Sequence, residues 1–160
     1  MKKLLCLGAL LALLPTTALA QQRLATAFGP RVGVSTGPDQ LVLGGQLDLG
    51  EVAPDLTFTP SGELGFGDHT TTIQLNGDFH YHFRVQGSPW RPYLGGGIGI
   101  AFYSFDVPAP FDDSDTAVGA NVVAGAIVPT QSGSRFFTEL KLGIGDVPDL
   151  KILVGWNFAL

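Results

Sequence analysis

Two histidines one residue apart, His80 and His82, follow Asp78 and form the first group whose residue types and spacing could do chemistry. His-x-His on one strand face is a spacing that can bind zinc, but no third ligand is evident nearby. The second group is the run Asp112-Asp113-Ser114-Asp115, whose oxygens suit Ca²⁺ or Mg²⁺. It lacks the spacing of a calcium-binding loop, so it reads as a solvated acidic loop. His69 has no partner visible in the pattern. The third group is distributed along the chain: Arg31, Arg84, Lys141 and Lys151 against Asp48, Glu63, Asp78 and Glu139. Such charges act together only if the fold brings them to one place.

The elements that must do so alternate with period two. From Thr72 to Val85, Ile73, Leu75, Gly77, Phe79, Tyr81, Phe83 and Val85 share one face, opposite Thr72, Gln74, Asn76, Asp78, His80, His82 and Arg84. Strict alternation of this kind is a strand signature and excludes a helix. Near the end, Leu150, Ile152, Val154, Trp156, Phe158 and Leu160 oppose Lys151, Leu153, Gly155, Asn157 and Ala159. Turn chemistry between the alternating runs predicts eight strands: 28–35, 40–50, 56–66, 70–85, 91–105, 116–128, 134–145 and 149–158. Connections this short suit an antiparallel up-and-down meander, because parallel crossovers need a dozen or more residues.

Composition limits what such a sheet can be. Of 160 residues, 45% are hydrophobic and only 14% charged, which excludes a disordered tail, a coiled coil and a basic nucleic-acid binder. Residues 1–20 have two lysines, an apolar stretch and a small-residue exit ending at Ala20, the form of a secretory signal peptide. Residues 21–160 then make one domain, without the single cysteine, Cys6, and with seven basic against fourteen acidic residues. No run outside the first twenty residues reaches the roughly 20 apolar residues of a membrane helix.

The strand charges decide which face is inside. Four cations and four anions share the polar face with His80 and His82. An enclosed lumen needs such balance, since an unpaired buried charge is heavily penalised, whereas a wetted surface does not. The polar face is therefore read as the lumen, with both histidines completing its hydrogen-bond network, and the apolar face as lipid-exposed. Gly95, Gly97 and Gly99 fall inward beside the large inward residues Asp78, His80, His82 and Arg84, as a barrel barely wide enough for its side chains requires. Phe28, Phe66, Tyr81, Phe83, Trp90, Phe102, Phe105, Phe136, Trp156 and Phe158 fall on or near outward positions, many close to strand ends, as interfacial girdles do.

With the export signal, the strands Asn76-Gly77-Asp78-Phe79-His80-Tyr81-His82-Phe83 and Tyr93-Leu94-Gly95-Gly96-Gly97-Ile98-Gly99, and the tail Gly155-Trp156-Asn157-Phe158-Ala159-Leu160, the chain resembles the small bacterial outer-membrane β-barrels of the OmpA- and OmpX-like eight-stranded group. The resemblance implies an all-β, eight-stranded antiparallel up-and-down transmembrane barrel in the cell outer membrane, with a side-chain-filled lumen. Gly155, Phe158 and Leu160 match the family's C-terminal insertion signal, although the last residue is Leu where Phe is usual and Leu153 occupies a site that is usually polar. With both termini periplasmic, as the family implies, Asp39, Asp68, Asp106, Asp112, Asp113, Asp115, Asp146 and Asp149 lie on the outer side with no Lys or Arg among them. Divalent cations bridging these acids to lipopolysaccharide phosphates is a further hypothesis.

The expected function is a non-enzymatic barrel with a structural or surface-interaction role through its acidic loops. Its lumen would be plugged by the ion network Arg31, Asp48, Glu63, Asp78, His80, His82, Arg84, Glu139, Lys141 and Lys151. No cofactor, metal or nucleic acid is expected. The expected partners are outer-membrane lipid, lipopolysaccharide and the assembly machinery, and the expected state is a monomer. Two alternatives stand beside it: a secreted lipocalin-like carrier of an apolar ligand, and a lipid-modifying enzyme. The deacylase type of the latter uses His-x-Ser and a Glu on the lipid-facing surface, whereas here the only His-x pairing is His80-Tyr81-His82.

Overall fold

The computed structural model describes residues 26–105 and 113–160. The expected signal peptide, Asp106 and Asp112 lie outside the described residues. Among the described residues the alternation becomes nine strands: β1 (Ala27–Thr36), β2 (Gln40–Asp48), β3 (Glu51–Ala53), β4 (Leu56–Phe66), β5 (Thr70–His82), β6 (Arg91–Phe105), β7 (Asp113–Pro129), β8 (Arg135–Gly145) and β9 (Leu150–Ala159). Every pairing is antiparallel in the order β2-β1-β9-β8-β7-β6-β5-β4-β3, and a β2–β4 pairing closes the sheet on itself. The barrel wall has eight strands. The short β3 falls within the segment expected to be a turn, and pairs with the start of β4 through Glu51 and Ala53.

The pattern sets inside and outside as the alternation implied. Along β5, Thr72, Gln74, Asn76, Asp78, His80 and His82 are buried in the lumen. Outward residues are uncovered, for instance Leu75 at 54%, Ile98 at 67% and Val118 at 65% exposure. Exposed aromatics mark both ends of the belt. Phe28, Tyr81, Phe83, Trp90, Trp156 and Phe158 gather towards the end with the termini, and Phe66, Phe102 and Phe105 towards the other.

Inward glycines of β6 make room for β5. Gly97 pairs with Asp78, and a Cβ there would come within 2.7 Å of the Asp78 Cα. At Gly99 a Cβ would stand 2.6 Å from the Asn76 amide oxygen and 3.0 Å from the Gln74 amide nitrogen. Glycine thus supplies volume that the narrow lumen lacks.

One strand is shorter than its pattern. β5 ends at His82, where the alternation runs on to Val85. On one side its partner β4 begins only at Leu56, opposite Tyr81, after a turn in which Asp55 takes φ 58°. On the other, Phe83 still donates to the Pro92 carbonyl at 2.8 Å, but proline has no N–H to return. The ladder stops, and Arg84 sits beyond the rim instead of in the lumen.

Candidate functional site

The lumen holds one chain of alternating charge. Lys151 on β9 hydrogen-bonds both Glu63 on β4 and the Gln74 amide oxygen on β5. Glu63 lies 3.5 Å from Arg31 of β1, which donates in turn to Glu139 of β8. Glu139 is 3.9 Å from Lys141, and Lys141 Nζ donates to Asp78 Oδ2 at 2.6 Å. Three cations therefore meet three anions, with side chains only 1–3% exposed. Each ion has an opposite charge on at least one other strand, which is what offsets the several kcal/mol of desolvation per buried ion.

Neutral polar groups complete the layer. Tyr93 donates to Glu139 Oε2 at 2.9 Å. Asn121 Nδ2 donates to Asn76 Oδ1 at 3.1 Å and Asp78 Oδ1 at 3.4 Å, and Gln74 Nε2 to Asn76 Oδ1 at 2.8 Å. The Arg31 guanidinium also lies 5.7 Å from the Phe137 ring centroid. Tyr93 shares the inward parity of Gly95, Gly97 and Gly99, whereas Asn121 is not singled out by the sequence pattern. Nothing in the sequence signalled that the stagger of the strands would bring them to the ions.

The remaining candidates are placed differently. His80 stacks on Tyr93 with centroids 4.6 Å apart, and its Nε2 is 3.9 Å from Glu139 Oε2, beyond hydrogen-bond reach. His82 Nε2 shares a 3.0 Å hydrogen bond with Thr57 Oγ1. Among the described residues no three His, Cys, Asp or Glu side chains converge as a metal site. Asp48 stands at the mouth on the termini side and accepts from Arg135 at 3.1 Å. Arg84 is the correction: its side chain is 74% exposed and pairs with Asp55 at 2.9 Å. The hydrogen bond to Asp55 raises the Arg84 pKa further, so it stays charged outside the lumen.

The opposite end of the lumen is closed by apolar groups. Val147, read in the sequence as part of a turn, folds inward to 2% exposure against Ala101, Tyr103 and Ala117. Tyr103 donates to the Asp146 carbonyl at 3.0 Å, which holds the turn over the opening. A Cβ on Gly119 or Gly143 would come within 2.7 or 2.9 Å of the Val147 methyls, so these glycines admit the cap. Around it, Asp39, Asp68, Asp115, Asp146 and Asp149 are exposed. Gly155 is inward beside Phe137, while Phe158 and Leu160 are exposed at the end of the chain.

No protein-family model matches the sequence, and no curated protein matches it. Solved structures do match the fold. The N-terminal β-barrel domain of Pseudomonas aeruginosa OprF aligns with TM-score 0.71 at 16% identity, covering 88% of this chain and 100% of that one. Neisserial surface protein A aligns with TM-score 0.59 at 15% identity over 84% of this chain and 94% of its own. The outer membrane enzyme PagL aligns with TM-score 0.51 at 15% identity over 84% and 99%. With the closed sheet, the charged lumen and the apolar exterior, these likenesses identify the fold as that of the small eight-stranded outer-membrane β-barrels.

Proposed function

We propose that the protein is a non-enzymatic integral outer-membrane barrel, exported by residues 1–20, with a lumen sealed by its ion network. It serves a structural or surface-interaction role through acidic loops on the outer side. The observation that carries this reading is the inversion of a soluble core: six paired charges lie inside while apolar residues such as Leu75 and Ile98 remain uncovered outside. In water such a belt is a large exposed apolar surface, and in a bilayer it is the solvated face. Its partners are membrane lipid, lipopolysaccharide and, through Gly155, Phe158 and Leu160, the assembly machinery, and it works as a monomer.

The likeness to PagL supplies the competing reading. The inward placement of His80 and His82 supports the non-enzymatic one, because a lipid-directed base would need the lipid-facing surface. Cell fractionation followed by gel mobility with and without boiling tests the location: the protein should fractionate with the outer membrane and shift on heating. A protein soluble without detergent and without a heat shift would overturn the proposal. Loss of a lipid-directed activity on replacing His80 or His82, with the heat shift intact, would establish the enzyme instead.

A further inference from the structure

Among the described residues four buried polar atoms have no protein hydrogen-bond partner, Arg31 Nε and Glu63 Oε1 inside the ion network and Gln46 Oε1 and His80 Nε2 beside it, and the last two residues line the same small annex of the lumen. Leaving such groups unsatisfied costs a desolvation penalty that folded proteins nearly always avoid, commonly with an internal water. The annex has room for about 10 Å³ of water centres, close to the volume one water needs. Thr59 lines it as well, so a water there meets a polar set of the size that internal waters use.

The annex is not isolated. Asp48, Thr57, His82 and Ile127 line it and also line a vestibule of about 380 Å³ at the termini end. His82 and Thr57, hydrogen-bonded to each other at 3.0 Å, are both in the lining that the two spaces share. Beyond His80 the charges facing it are Glu139 and Lys141 from β8, Asp78 from its own strand and Arg31 from β1, with Tyr93 stacked from β6. Most of these are bonded to one another, and past them stand the Asn121–Asn76–Gln74 layer and the apolar Val147 cap.

We propose that the lumen is a one-sided half-channel for water, entered from the termini end through a throat at the His82–Thr57 pair and ending at His80 and Gln46. Which compartment supplies the water rests on the membrane orientation proposed above, but the sidedness within the molecule does not. The ion network is thereby wetted at one border, at His80, while the cap keeps the loop end dry.

Water-selective nuclear Overhauser transfer to the His80 ring protons, measured on the folded protein in deuterated micelles, tests this. Native protein should show transfer to His80. His82→Phe or Thr57→Leu, each filling the throat, should abolish it, while Val147→Ala at the cap should leave it unchanged. The folded state of each variant is checked by its heat-dependent gel shift, and two throat variants are used so that one misfolded protein does not end the test. Absence of transfer in native protein overturns the proposal, as does persistence in a folded throat variant or a gain on Val147→Ala. The micelle experiment is independent of cell location, so its failure would leave the outer-membrane reading standing.

Discussion

Removing one charge from the lumenal chain should cost far more than removing a matched pair. Glu139→Gln keeps an acceptor for Tyr93 but leaves Arg31, Lys141 and Lys151 facing only Glu63 and Asp78. Arg31→Met produces the opposite imbalance. Breaking a buried pair from one side typically costs about 3–5 kcal/mol, because the partner remains buried and uncompensated. The two single losses would sum to about 6–10 kcal/mol, a large share of the about 5–15 kcal/mol of an ordinary small domain. The double variant restores neutrality, since Lys141 keeps Asp78 and Lys151 keeps Glu63. Replacing a buried ion pair with uncharged groups is often close to neutral, so the double variant should recover at least about 2 kcal/mol of the summed single losses. Urea unfolding in lipid vesicles, followed through Trp90 and Trp156 fluorescence, gives each free energy by linear extrapolation. Strictly additive losses would refute the reasoning, because the charges would then not compensate one another across the lumen.

Other substitutions probe separate parts of the account. Gly97→Val should abolish the compact unboiled band, because its Cβ would press on the Asp78 backbone, whereas Gly62→Ala, whose Cβ would meet only Leu75 at an ordinary 3.5 Å, should run like native protein. Arg84→Ala should leave the urea midpoint within error of native, in contrast to Arg31→Met, because the Arg84–Asp55 pair is solvent-screened. A large loss there would restore Arg84 to the lumen. Val147→Ala should lower stability by about 1–3 kcal/mol, at roughly 1 kcal/mol per buried methyl, and an unchanged midpoint would show that the cap contributes no packing.

Period-two alternation carried the sidedness of most wall positions because one face of every strand meets a different medium from the other. Leu153 illustrates its reach: an apolar residue on the polar face, it is fully buried in the lumen, and Gly33 beside it leaves space for its side chain. Alternation says nothing, however, about where a partner strand ends. That is why Arg84, two residues past the last ladder pair of β5, was read as lumenal although Asp55 and Pro92 terminate the pairing there. Nor does it give the stagger between strands, which alone brings Arg31, Glu63, Glu139, Tyr93 and Lys151 together from five different strands. Val147 was hidden for another reason. A turn residue beside proline reads as punctuation, and only the closed barrel creates an opening for it to fill.

The central claim, that the apolar face meets lipid and the charges face inward, is tested most directly by tryptophan quenching. With Trp90 and Trp156 changed to Phe, a single Leu75→Trp is placed on the outer wall, at a position 54% exposed. In vesicles containing chain-brominated lipid its fluorescence should be strongly quenched, and aqueous iodide should have little effect. Efficient quenching by iodide with none by brominated lipid would contradict the account.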